Sequence, residues 1–472
     1  MKTIDKKNPN VIVRDYSLTG NESQRAIKMG LADAEWYRTP IDKDKMNELL
    51  TRKNGPGIRD TFIWFGLIIT SGYLFYLWWG TWLAILPYIV YSVLYASTSD
   101  SRWHESSHGT VFKTDWMNNV LYEIASFMVL RQSNVWRWSH TRHHSDTIIR
   151  GRDPEIYVRP PRISKILLSF IGLKSGIAEF KRLILHASGR MDPQAATYVP
   201  NSEYSKVFFV ARIYILIYLS AIGLSIYFNS ILPLMYIVLP KLLGSWLMPF
   251  YTMTQHTGLQ ENVLDHRLNS RTVYMNRINR FLYWNMNYHI EHHMFPLVPY
   301  HALPKLHELI KHDCPTPYSS IFNAFREIIP TVLKQVNDPS YCIKRILPAT
   351  ANSKTADAVI HFTGENSNLN DGKIKVCSVD EIDLANVVRF DFDEKTYAVY
   401  RTANDEYYAT DGICSHGKTH LAEGMVIGGI IECPKHNGRF NLKYGTPARM
   451  PVCERINTYN IQIIGSDLFL EL

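Results

Sequence analysis

The sequence predicts a multidomain protein: an α-helical membrane domain of two transmembrane hairpins, four spans in all, with cytoplasmic helices, followed by a small all-β domain. Three observations carry this. Two stretches, 58–99 and 207–253, are almost wholly apolar or aromatic. The segments around them are rich in Lys and Arg. From residue 374 onward the text changes to short strand-like runs broken by Gly, Pro, Asn and Asp.

Residues 1–57 are polar and charged and read as a cytoplasmic N-terminal arm with some helix. The opening MKTIDKKNPNVIVRDY has no apolar core behind its lysines, so no cleaved signal peptide is expected. The membrane domain is placed at 58–345. From Ile58 to Ser99 only Arg59, Asp60 and the turn-like Trp79-Gly80-Thr81 interrupt the apolar text. A span takes about 20 residues, so this length holds two helices and a tight turn. The second pair runs from Val207 to Met253 and turns at Asn229-Ser230. Two hairpins leave both termini and the middle stretch 100–206 on one side, which the Lys and Arg content assigns to the cytoplasm. Residues 346–373 are mostly polar without sustained periodicity and read as a linker. The β domain, 374–472, holds the runs VVRFDF, TYAVYR, YNIQII and LFLEL.

The net charge of +8 suits the cytoplasmic face of a membrane protein, and nothing else in the chain points to nucleic acid. The six cysteines are scattered, which is no disulfide framework and fits a reducing compartment.

The placement of the 18 histidines is more telling than their number. They form three groups: His104-Glu-Ser-Ser-His108, His140-Thr-Arg-His143-His144 and His289-Ile-Glu-His292-His293. Residues three and four apart share a helix face, so each group aims its imidazoles at one point. Neutral imidazole is a good ligand for iron, zinc or copper. The set is too large for one ion and about right for two. His256, just past the last span, is a further candidate ligand. The acids Glu105, Asp146 and Glu291 sit beside the groups as partners for the imidazole N–H. The remaining histidines, among them His266 and His307, read as structural or solvated.

The β domain carries Cys414-Ser-His416 and Cys433-Pro-Lys-His436. Such a set can hold a [2Fe-2S] cluster, both cysteines on one iron and both histidines on the other. A zinc site is the competing reading. It fits less well, because each loop here supplies one Cys and one His in a strand-rich setting.

Across about 58–330 the chain resembles the integral-membrane fatty acid desaturase and hydroxylase family. The likeness rests on the order of the three boxes and on NYHIEHHMFPLVPYHALPKLH at 287–307. WRWSHTRHH at 136–144, followed by GRDPE, is similar to the subgroup of rhizopine-type oxygenases and the dihydrorhizobitoxine desaturase. The resemblance implies a diiron centre, O2 as cosubstrate, and removal of hydrogen from an unactivated C–H bond. The outcome is either a C=C bond or an inserted oxygen. The β domain resembles Rieske ferredoxins. Thr419 and Lys435 stand where respiratory Rieske proteins carry extra cysteines, which implies a ferredoxin-like potential.

The expected function is therefore an O2-dependent membrane oxidoreductase that desaturates an alkyl or acyl chain with electrons from its own Rieske domain. Hydroxylation of an acyl chain or a small polar metabolite is one alternative. A membrane redox carrier without its own C–H chemistry is another, though it has no need of so many convergent histidines. No nucleotide-binding fingerprint is present, so an NAD(P)H-dependent flavin ferredoxin reductase is the expected partner. The expected location is the bacterial inner membrane, with the metal sites and both termini cytoplasmic. Lys241 lies mid-span after Pro240, where it either pairs inside the bundle or meets a polar end of the substrate.

Overall fold

The first apolar stretch folds as helix α1, Asn54–Leu77, and helix α2, Ile85–His108. The structure is a computed structural model and describes all residues except 1–3, 6–7, 13, 33, 157–162, 352–358, 365–368, 371, 418 and 472. Where the apolar text ends at Ser99, α2 does not. Nothing between Ser99 and His108 breaks a helix, and the first stop is Gly109, whose φ of 65° is cheap only for glycine. The helix therefore carries the first histidine pair on its own last turns. The polar run Ser97 to Ser101 and Arg102 are buried there.

Helix α3, Ser133–Ser145, carries the second box, and α4, Tyr204–Tyr227, is the third long apolar helix. The expected fourth span is broken. Leu232–Ile237, Pro240–Gly244 and α5, Leu247–His256, follow one another, with a 40° bend before α5. Pro233, Pro240 and Pro249 account for this, since each lacks the N–H that would continue the ladder. Among the described residues three helices are thus long and apolar enough to cross a membrane, or four if the bent pair counts as one span. Phe62, Ile69 and Tyr73 on α1 and Leu216 and Leu219 on α4 are exposed. Such a belt is costly in water and suits a lipid-facing surface. Helix α6, His289–Met294, carries the third box.

Inside the bundle Phe75, Tyr88, Tyr91 and Tyr236 pack ring against ring, with Tyr236 edge-on to Phe75 and Tyr91. The hydroxyls of Tyr88 and Tyr91 donate to the carbonyls of Met235 and Tyr236 at 2.9 Å, so the broken span's freed carbonyls are satisfied by α2. Gly244 crosses α2 so closely that a Cβ there falls 1.8 Å from the Ser92 carbonyl oxygen.

Two compact units are present. The first comprises Met1–Ala32, Leu49–His293 and Val298–Ala351. The second comprises Asp33–Glu48, Met294–Leu297 and Asn352–Leu472. The second unit is therefore larger than 374–472, and it takes residues from the stretch read as an N-terminal arm. Its five-stranded sheet runs Thr458–Tyr459, Tyr407–Asp411, Lys395–Arg401, Asn386–Phe392 and His361–Thr363. A four-stranded sheet runs Ile461–Ile464, Asp467–Glu471, Lys373–Ser378 and Leu369–Asn370. Another runs Pro447–Arg449, Arg439–Asn441, Ile430–Glu432 and Met425–Ile427. His361–Thr363 and Leu369–Asn370 fall within 346–373, where runs this short left no period to read.

Replacing Gly244 with Ala should overpack the crossing and cost ~1–3 kcal/mol. Thermal unfolding in detergent measures it; an unchanged melting temperature refutes the close approach.

Candidate metal centre and iron–sulfur site

The boxes sort by helical geometry. On α3, His140 and His144 are one turn apart and face one way, while His143 is rotated off that face. On α6, His289 and His293 pair in the same manner and His292 points elsewhere. The structure accordingly gathers His104, His108, His140, His144 and His292 in one group and His143, His256, His289 and His293 in another. Within each group the ligand nitrogens lie within 4.8 Å of one another. Each HxxHH box thus feeds both groups, which explains the doubled histidine.

Hydrogen bonds to the outer ring nitrogens settle the tautomers. His143 Nδ1 donates to Asp153 at 2.9 Å, His140 Nδ1 to Glu155 at 3.3 Å, and His104 Nδ1 to Glu105 at 3.3 Å. His256 Nδ1 donates to the Asn269 carbonyl at 2.8 Å. Each of these rings then presents a bare Nε2. The Nε2 atoms face other imidazoles: His108 to His140 at 3.0 Å, His292 to His144 at 3.2 Å, His289 to His256 at 2.8 Å. Burial, reinforced by the neighbouring rings, holds His144, His289, His292 and His293 well below the usual histidine range, which is the ligating form. Burial also lowers His140; at His143 the Asp153 carboxylate outweighs burial and raises it. Two nests of inward lone pairs in a dry interior are a donor set that fits two cations.

Glu105 does face box rings, with His292 Nδ1 a further 3.7 Å contact. Asp146 instead pairs with Arg142 and Arg152. Glu291 accepts from Thr272 Oγ1 at 2.6 Å and His307 Nδ1 at 2.5 Å, and touches no box ring. Asp153 and Glu155 do the work expected of them. After α3 the chain reverses through Ile148 and Gly151, both at positive φ, and lays Asp153-Pro-Glu155 back along the helix. Burial opposes the charge on Glu155, yet His140, His143 and Arg131 hold it ionised at about 2. The signal was GRDPE itself, but the fold-back that makes it useful is not a helical spacing. His266 was also missed; its ring lies 5.0 Å from that of His293.

Beside the histidines lies a cavity of about 290 Å³, lined by His104, His140, His143, His256 and His289 and by Trp103, Arg131 and Gln255. Lys241 is not on its wall. The Lys241 ammonium donates to the Val129 carbonyl at 2.5 Å, so it is paired inside the bundle.

In the second unit, Cys414 follows strand Tyr407–Asp411 and Cys433 follows strand Ile430–Glu432. The rings of His416 and His436 stand 5.2 Å apart at 80°. A hydrogen bond from Cys433 pulls the Cys414 thiol down to about 7, against burial and helped by the Gly417 and His416 amides. The Lys435 and His436 amides point at Cys433. Sulfurs fed by backbone amides beside two histidines fit a [2Fe-2S] cluster. Lys435 ties the loops together, Nζ donating to the Gly417 carbonyl at 3.3 Å. It also reaches the Ala34 carbonyl at 3.4 Å, and Arg38 pairs with Glu423 at 2.6 Å. The segment Asp33–Glu48 is thereby fastened to the cluster-bearing domain.

The family model for fatty acid desaturase matches residues 76–324, more than half of the chain, and that for the Rieske [2Fe-2S] domain matches 372–460. The ferredoxin component of the naphthalene 1,2-dioxygenase system of Pseudomonas aeruginosa is 36% identical over 92 residues, 20% of this chain and 88% of that protein. The biphenyl dioxygenase ferredoxin subunit of Pseudomonas sp. (strain KKS102) is 33% identical over 98 residues, 21% and 89% of the two chains. A solved complex of reduced oxygenase and oxidised ferredoxin in carbazole 1,9a-dioxygenase aligns at 32% identity with a TM-score of 0.20, covering 21% of this chain and 99% of that one.

Asp153→Asn should weaken iron binding at the histidines about 10–100-fold while leaving the iron–sulfur absorption intact. Iron analysis after dialysis, with a visible spectrum, checks both. Full iron retention would remove Asp153 from the site.

Proposed function

This chain belongs to the fatty acid desaturase family and carries a Rieske [2Fe-2S] domain, and from that premise we propose a membrane-embedded, O2-dependent oxidoreductase that desaturates an alkyl or acyl chain with electrons from its own Rieske domain. The observation that carries the reading is the presence, in one chain, of two buried histidine nests and a Cys2His2 pair of loops. His104, His108, His140, His144 and His292 would hold one iron, and His143, His256, His289 and His293 the other. The diiron centre supplies O2 activation and hydrogen abstraction. Cys414, Cys433, His416 and His436 would hold the cluster, which passes electrons singly.

The protein's own part is positional. Asp153, Glu155, Glu105 and the Asn269 carbonyl fix the rings with Nε2 inward. The buried helix ends keep bulk water from the histidines. The cavity holds the reacting carbon against five of them. Carrying the donor on the same chain raises its effective concentration. An NAD(P)H-dependent flavin ferredoxin reductase would reduce it. The Lys and Arg distribution supports a bacterial inner membrane location with the sites on the cytoplasmic side. Hydroxylation is the second reading, and the polar residues on the cavity wall favour it. A cavity set directly against the histidines speaks against a bare redox carrier.

Purified chain, NADH, a ferredoxin reductase and candidate substrates should consume O2 and yield products lighter by two hydrogens or heavier by one oxygen. Cys414→Ser should cut turnover at least 100-fold while sparing the histidine-bound iron, since it removes the donor and not the oxidant. Unimpaired turnover in that variant would sink the internal-donor role.

A further inference from the structure

We propose that the alkyl or acyl group attacked in this cavity belongs to a compact carboxylic acid gripped by Arg131; the inference rests on the reading of the histidine nests as the oxidising centre.

Size comes first. At about 290 Å³ the cavity sits at the lower edge of ligand pockets and holds on the order of ten waters' worth of volume. Inside the cavity itself that is room for about ten to twelve non-hydrogen atoms of a ligand. The wall is mixed: Ile148, Ile156 and Leu259 suit a short alkyl stretch, and Asp100, Arg131 and Gln255 suit a polar end.

Charge comes next. The wall acids are already engaged. Glu155 accepts from Ser139 at 3.0 Å and from His140. Glu261 accepts from Arg14, Tyr16 and Arg150 at 2.8, 2.5 and 3.0 Å. Asp100 faces Arg131 Nη1. Arg131 has capacity to spare. A guanidinium carries five N–H donors in a planar fork, and among the described residues Asp100 is the one side chain paired with it. The fork is rigidly aimed: its central carbon lies 4.2 Å from the Trp103 ring centre and 4.4 Å from that of Trp136. Two indole faces and one carboxylate hold the group in place at the edge of a cavity it lines. A preorganised fork is what recognises a carboxylate in two-point fashion. The amides of Gln255 and Gln335 donate to the Tyr283 hydroxyl at 2.7 Å and the Tyr341 carbonyl at 2.8 Å. Their own carbonyl oxygens remain as acceptors, suited to hydroxyl or amine groups elsewhere on the same small molecule. The open charge on the wall is thus positive, and the open neutral groups are acceptors.

The test is calorimetric titration of the detergent-solubilised, iron-loaded chain with carboxylic acids of at most about twelve non-hydrogen atoms, each paired with its neutral amide. At least one acid should bind tenfold or more tightly than its amide. Arg131→Met should erase that preference, and Arg131→Lys, which keeps the charge and loses the fork, should fall between. Since the wild-type comparison of acid with amide needs no variant, poor folding of Arg131→Met leaves the claim exposed. Acid and amide binding alike across the panel, or an Arg131→Met chain that keeps the preference, overturns it. So does turnover of phosphatidylcholine-bound acyl chains with no response to any small acid. An acid preference without O2 consumption by any bound acid overturns the proposed reaction and leaves the grip standing.

Discussion

Everything in the first unit answers to one expense: histidine rings have been taken out of water and turned toward one another. Such rings are cheapest to bury neutral, with their outer nitrogens bonded and something positive to satisfy the inward lone pairs. For four of them the neighbourhood supplies the outer bond. Asp153, Glu155 and Glu105 take the outer N–H groups of His143, His140 and His104, and a backbone carbonyl takes that of His256. The two nests leave room for the cations that the family supplies. The long polar end of α2, which has no business in a bilayer by composition, is where it is because the first pair of rings must be carried inward on a rigid helix.

Much of this was legible. Three boxes at helical spacing announce convergence, and the two Cys-His loops announce their cluster without help from the fold. The extent of α2 was hidden because hydropathy ends at Ser99 while helicity ends at Gly109, and the two are different properties. The broken fourth span was half visible in its prolines. The division of the rings between two nests was implicit in HxxHH, since 100° per residue separates His143 from His140 and His144.

What stayed dark was tertiary. Asp146 lies beside the second box in sequence and Asp153 does not, yet a reversal at Ile148 and Gly151 gives the ring to the distant acid and turns the near one to arginines. Glu291 lies inside the third box, yet its carboxylate turns to Thr272 and His307. Lys241 drew attention as a charge in apolar text, and the break beside it supplied the answer: an unwound helix frees carbonyls, and a nearby ammonium is one way to meet such a carbonyl.

The segment Asp33–Glu48 has a consequence for how the chain is put together. Sequence numbers suggest a redox module hung on the end of a desaturase-family domain, a bead that can be unstrung by cutting before it. Lys435 reaching Ala34, and Arg38 clasping Glu423, make the topology closer to a belt whose buckle lies at the far end of the gene. Whoever trims the N-terminus to tidy the membrane half will be dismantling the ferredoxin. Any history in which the two modules were joined must also account for a piece of the redox half that the chain carries ahead of its apolar helices.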